Sequence, residues 1–371
     1  MKENDIFFQE LEERTQIFLE SLESNENSFS FIPASDGLLK AGNELKLGFS
    51  CYALKINYML GYWEKLNDKN KKDWVSFINS FQKNLEGFPR YSFIDEGYVK
   101  NMDSKSINSS VRDTIKQALT QLNIKRYETR EEKIKTSVRA ESKQAISTLY
   151  QVGARNEHPY LDFPKEKNLI KDFLDELDWT HPWHSGAQFS GLCVFVETQN
   201  PLPELKKELE LFSNRLVNKD SGFYYLGKKP NNSELVNGAM KVVTGLDWLN
   251  IEIHYPEKLI DVCLDIKPND EGCDLVDIVY VLYMCSLYTN YKRKEIINYV
   301  NSLIPVIKKH YYKDLGGFSY YLDKSQTLYY GVKFSKGFNT PDIHGTMLLL
   351  WALSMIRAIT DEDSSWNVLK P

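Results

Sequence analysis

Apolar residues recur along this chain at steps of three and four far more often than at steps of two, a pattern that predicts helices almost throughout. The clearest is 39–63, where Leu45, Leu47, Cys51, Leu54, Ile56, Leu60 and Trp63 mark one buried helix. Similar patterns predict helices at 70–83, 109–123, 131–153, 165–177, 184–199, 203–218, 234–249, 256–265, 273–289, 292–312 and 342–358. They fall into two kinds. Those at 70–83, 203–218 and 292–312 are charged on one face, as expected of helices with one side in water. Those at 184–199, 234–249, 273–289 and 342–358 are apolar nearly all round and open on a polar cluster, as expected of an inner layer. The loops repeat too. Gly87-Phe88, Gly222-Phe223 and Gly317-Phe318 each follow an amphipathic helix, at spacings close to multiples of about 45–48 residues, the range of helical-pair repeats. A closed ring of five to six helix pairs is the simplest architecture with this rhythm. It predicts an all-α (α/α) toroid.

Composition narrows the setting. The 371 residues carry 46 Lys plus Arg against 51 Asp plus Glu, a net charge of -5, which favours neither nucleic acid nor an anionic membrane as a partner. The longest apolar runs, such as Met347 to Ile356, fall short of the roughly 20 residues of a membrane helix, so no transmembrane segment is expected. An acidic, amphipathic start without a signal-peptide pattern makes the cytoplasm the expected location. Five widely spaced cysteines point to reduced, buried thiols. We read 1–371 as a single domain, with N-terminal helices as an extension over 1–100 and the main repeats over 101–371.

The segment Asp342-Ile-His344-Gly-Thr346, running into Leu348-Leu-Leu-Trp-Ala-Leu353 after a Gly-Gly-Phe loop, resembles the repeat of the terpenoid cyclase and protein prenyltransferase toroids. Glu271-Gly272-Cys273, ahead of Ile278-Val-Tyr-Val-Leu-Tyr283, is similar to the second zinc-ligand segment of the prenyltransferases. The resemblance spans roughly residues 180–360. It implies a toroid enzyme acting on an isoprenoid or isoprenyl diphosphate, with Cys273, His344 and Glu271 as zinc ligands, or magnesium as the metal. The Asp-x-Asp-Asp and Asp-Asp-x-x-Asp motifs of the cyclases are absent. Carbohydrate lyases, hydrolases and epimerases built on α/α toroids share the same rhythm, so a glycan substrate stands beside the isoprenoid one.

Parallel inner helices present equivalent ends, so their polar first turns should converge at one mouth. This assembles Trp183, His184 and Gln188; Asn237 and Lys241; Asp274 and Asp277; and Asp342 with His344. His184, Asp274, Asp277, Asp342 and His344 are the candidate acids and bases, since burial shifts the pKa of such groups. Trp183, Gln188, Asn237, Lys241, Tyr280 and Trp351 are candidate substrate contacts. Each has a plainer reading: Asp274 and Asp342 as helix caps, Lys241 as a snorkelling amine, His344 as a structural histidine. Aromatics do not separate the substrates by themselves, although 22 tyrosines against 19 phenylalanines lean toward a polar one. The stretch 125–143, with Arg130, Arg139 and Lys143, reads as a solvated helix face, with phosphate capture as the sharper alternative. No phosphate-binding P-loop, dinucleotide-binding Gly-x-Gly-x-x-Gly or His-Glu-x-x-His motif is present. A non-catalytic helical scaffold completes the alternatives.

Overall fold

The 39–63 segment, expected as one helix, is three: Lys40–Glu44, Leu47–Met59 and Tyr62–Lys65. The first break is made from a distance. The backbone N–H groups of Lys46 and Leu47 donate to Asp95 Oδ2 at 2.7 and 3.0 Å, so a residue far along the chain caps the second helix. The other break is local, at Gly61, whose φ of +71° lies in the left-handed region that glycine reaches without a Cβ clash.

The computed structural model describes residues 3–24, 28–103, 129–360 and 365–371, so the helix expected at 109–123 lies outside the described residues. With 59% helix and 6% strand, the protein is all-α. Six helices are buried over much of their length: Leu47–Met59, Arg130–Gln151, Pro182–Gln199, Asn232–Trp248, Gly272–Ser286 and Ile343–Thr360. In that order each packs on the next, and Ile343–Thr360 packs back on Leu47–Met59. Half-buried helices lie against them, Asp68–Asn79 on the first, Pro203–Leu216 on the third and Arg293–Lys308 on the last two. The tightest approach is between Pro182–Gln199 and Asn232–Trp248. There a Cβ on Gly238 would sit 2.6 Å from Pro182, and one on Gly245 2.8 Å from Phe189.

Four half-buried helices end in a small antiparallel turn that returns the chain toward a buried helix. The pairs are Glu23 with Phe31, Gln82 with Phe93, Val217 with Tyr224 and Tyr311 with Phe318. Phe223 and Phe318 are fully buried beneath these turns. In the last turn the left-handed glycine is Gly316, at φ +78°, while Gly317 is extended and paired with Tyr312. A Cβ on Gly316 would lie 2.1 Å from the Arg14 carbonyl oxygen; Gly87, at φ +84°, has open space around it. Urea unfolding should therefore show Gly316→Ala losing about 2–4 kcal/mol and Gly87→Ala only about 1 kcal/mol. Equal losses would mean that the contact with the first helix, Glu3–Leu22, is unimportant.

The main apolar core runs from Leu11 to Leu369, so the N-terminal helices share it with the rest, and a small second cluster joins Ile94, Ile134 and Val138. Residues 366–371 cross the C-terminal ends of three buried helices: the Asn367 N–H donates to Met59 O, the Lys370 N–H to Gln151 Oε1, and Trp248 Nε1 to Pro371 O. Ile343–Thr360 is long and apolar enough to cross a membrane, but 78% of that window is buried inside the protein.

Candidate functional site

A cavity of about 450 Å³ lies among the six buried helices, and every one of them contributes to its wall. The lining positions step by three or four along each helix, as one face requires: Arg139 and Lys143 on Arg130–Gln151, Cys273 and Asp277 on Gly272–Ser286, His344 and Trp351 on Ile343–Thr360. Lys55, Gln188 and Lys241 come from the other three.

Three lysines dominate its electrostatics. Lys55, Lys143 and Lys241 come from three different helices, and among the described residues none has a carboxylate within ion-pair distance. Burial pushes the Lys55 ammonium down to about 8, with Lys241 adding repulsion. Burial, then Lys55 and Lys241, hold Lys143 well below its usual range. Arg139 is already engaged, donating from Nη2 to Asp162 Oδ2 at 3.1 Å. The wall thus offers concentrated positive charge without its counter-ion.

Asp277 is the one side-chain carboxylate on the wall among the described residues. It is buried and its Oδ2 has no hydrogen-bond partner among them. Burial raises it to about 7 against the pull of Lys241, helped by Asp274, so a substantial fraction carries a proton at neutral pH. His344 behaves oppositely. Burial, then Lys241 and Lys55, bring it down to about 3, so its imidazole is neutral. Its Nδ1–H donates to Gln326 Oε1 at 2.9 Å, which leaves the Nε2 lone pair available. Tyr52 stacks on the imidazole at 4.6 Å and 4°, and Tyr320 lies 5.4 Å away on a tilted plane. The ring is held rigidly.

Asp342 does that holding from outside the wall. It accepts the N–H groups of Tyr320, Gln326 and Gly345 at 2.8, 3.0 and 2.8 Å, which fixes the loop carrying two of the neighbours of His344, Tyr320 and Gln326. Burial still raises it to about 6, offset by those donors. Asp274 is similarly occupied, accepting from Ser233, from Asn237 Nδ2 at 3.0 Å and from Asn269 Nδ2 at 2.6 Å. It and Asn237 line a neighbouring cleft, not the large cavity. Tyr280 is buried behind Trp351, with ring centroids 5.3 Å apart. Trp183 and His184 are exposed and line neither hollow. Their helix starts at Pro182, so its first turn projects beyond the cavity and the wall begins one turn later, at Ala187 and Gln188.

The zinc set expected from the sequence does not fit. Glu271 is exposed and off the wall. The Cys273 thiol, raised to about 12 by burial and then by Asp277, receives the Tyr320 hydroxyl at 3.0 Å. Among the described residues no group of three or more His, Cys, Asp or Glu is placed to hold a metal ion. The solvated-face reading of 125–143 holds for Glu131, Glu132, Lys133 and Lys135, which are exposed, and is corrected for the last turns. Lys143 and Arg139 face the cavity, and Glu141 is buried, because their helix is packed on both sides by its neighbours. Lys55 escaped the sequence reading altogether. Its signal was available: a single charge within Cys51–Met59, an otherwise uncharged run on a buried helix. Comparison with known proteins gives no match to a family model, a curated protein or a solved structure.

Proposed function

We propose that the six buried helices form the inner wall of an (α/α) toroid, and that the protein is an enzyme acting on an acidic carbohydrate held in its cavity. The observation that carries this reading is the convergence of Lys55, Lys143 and Lys241 on the same space as a protonatable Asp277 and a neutral His344. Unpaired ammonium groups in a confined space favour an anion. Gln188 on the wall, whose amide has no hydrogen-bond partner among the described residues, suits a hydroxyl-rich ligand better than an isoprenoid chain. Trp351, facing the cavity, can cover the apolar face of a sugar ring.

The arrangement suits elimination in a uronic acid. The lysines neutralise the carboxylate and stabilise the charge that develops when the adjacent C–H is broken. His344 Nε2 takes that proton, a carbon–carbon double bond forms, the C–O bond to the leaving sugar breaks, and Asp277 gives its proton to the departing oxygen. Atoms and charge balance without a cofactor.

A thermal-shift panel tests the reading, with uronic acids and their oligomers, sugar phosphates, neutral sugars and geranyl diphosphate as ligands. Uronate-containing saccharides should raise Tm by several degrees and neutral sugars should not. Stabilisation by geranyl diphosphate without any saccharide would move the assignment to isoprenoid chemistry, and silence across the panel would leave a non-catalytic scaffold. For the wild type with a stabilising oligomer, turnover should appear as ultraviolet absorbance from the new conjugated double bond. His344→Ala should lose 10²–10⁴-fold in that rate, the range of a general base.

A further inference from the structure

A second hollow, of about 330 Å³, opens beside the large one. Its wall combines Val236, Ile266 and Ile278 with the polar side chains of Asn232, Ser233 and Asp265. The two hollows share two helices. On Asn232–Trp248, Asn237 lines the cleft and Lys241, one turn on, lines the cavity; on Gly272–Ser286 the corresponding pair is Asp274 and Asp277. The bond from Asn237 Nδ2 to Asp274 Oδ1, 3.0 Å long, ties those helices together between the two spaces. At the start of Asn232–Trp248 the exposed Trp183 is also tethered, its backbone N–H donating to Glu234 Oε1 at 2.9 Å.

We propose that this cleft is a second sugar subsite, so that the substrate is a chain with one acidic unit in the cavity and its neighbour in the cleft. The inference rests on the acidic-carbohydrate reading and adds chain length to it. The cleft suits a sugar by composition. Val236, Ile266 and Ile278 are buried and form its floor, the half-buried Pro268 offers an apolar edge to the C–H face of a ring, and the amide and carboxylate side chains of Asn232 and Asp265, both exposed, are free to meet vicinal hydroxyls. The wall carries Lys267 but no cluster of cations, so the unit bound there need not be the one that reacts. Asp274 is spent on Ser233, Asn237 and Asn269; it shapes the cleft and takes no part in proton transfer.

Binding of galacturonate and glucuronate, and of tetrasaccharides containing each, is measured by calorimetry on the wild type and on the double variant Asn232→Ala/Asp265→Ala. Both substituted side chains are exposed, so the variant should keep the wild-type Tm. A tetrasaccharide is expected to bind the wild type at least tenfold more tightly than its monosaccharide. The double variant should lose that advantage while binding the monosaccharide as before. As a second probe, Ser233→Trp, which fills the cleft, should do the same. If monosaccharide and tetrasaccharide bind equally, or both variants keep the tetrasaccharide advantage, the subsite is overturned and the acidic-sugar assignment stands. If none of the acidic saccharides binds the wild type, the acidic-sugar assignment falls and the subsite with it.

Discussion

Asp277→Asn should yield a protein that is inactive and, at pH 8, more stable than the wild type. The two effects have one cause. Asp277 is raised from an ordinary carboxylate value of 3.8 to about 7, chiefly by burial, so the folded protein holds a proton there that the unfolded chain releases. Its stabilising contribution is complete below about 3.8 and is lost as pH rises through 7, where folding must accommodate a buried charge. Asparagine keeps the shape and never ionises. Urea unfolding should show the two proteins nearly equal at pH 4 and the variant ahead by about 2–4 kcal/mol at pH 8. Turnover of an acidic oligosaccharide should fall by 10²–10⁴-fold, because asparagine has no proton to give the leaving oxygen. The wild-type rate should itself decline above pH 7 as Asp277 ionises, while His344, down at about 3, stays unprotonated throughout and adds no second limb to the profile. A variant retaining a tenth of the activity would remove Asp277 from the acid role. A stability difference that does not grow between pH 4 and pH 8 would mean that the carboxyl titrates normally.

Asp277, Lys241 and His344 were legible in the sequence for a common reason: each interrupts an apolar helix, where a polar group must have either a partner or a task. Lys143 follows the same rule less visibly, since its stretch reads first as a solvated face and only second as an anion site. Its neighbours Lys133, Lys135, Arg139 and Glu141 make the segment look uniformly charged, and only the packing of adjacent helices reveals that one face is enclosed. His184 and Trp183 failed in the other direction, since a helix start carries polar residues whether or not it faces a ligand. Helical content followed from periodicity, but the interruption before Leu47 did not. It depends on Asp95, which reaches the Lys46 and Leu47 N–H groups across nearly fifty residues. Long-range capping of this kind leaves no local pattern.

The lysines give the second large effect, and it concerns protons as much as affinity. Lys55 is down to about 8, from 10.5, first because it is buried and then because Lys241 is near. In this window the unfolded chain binds more protons than the folded one, so this group makes stability rise with pH between about 8 and 10.5. A bound carboxylate reverses the situation by supplying the missing counter-charge, which raises the ammonium pKa again. Binding of a uronate at pH 8 should therefore take up protons, seen as a calorimetric enthalpy that changes with the ionisation enthalpy of the buffer, and affinity should weaken as pH rises further. Lys143→Met should weaken uronate binding by about 10–100-fold, the loss of one charge-assisted contact at roughly 1.5–3 kcal/mol. Without a ligand, the same substitution should stabilise the protein at pH 7, because it replaces an enclosed amine, whose charged form burial and then Lys55 and Lys241 disfavour, with an apolar chain of similar length. Opposite signs in the two measurements are the signature of a residue kept for its ligand. A variant that lost stability but kept affinity would assign Lys143 to the fold.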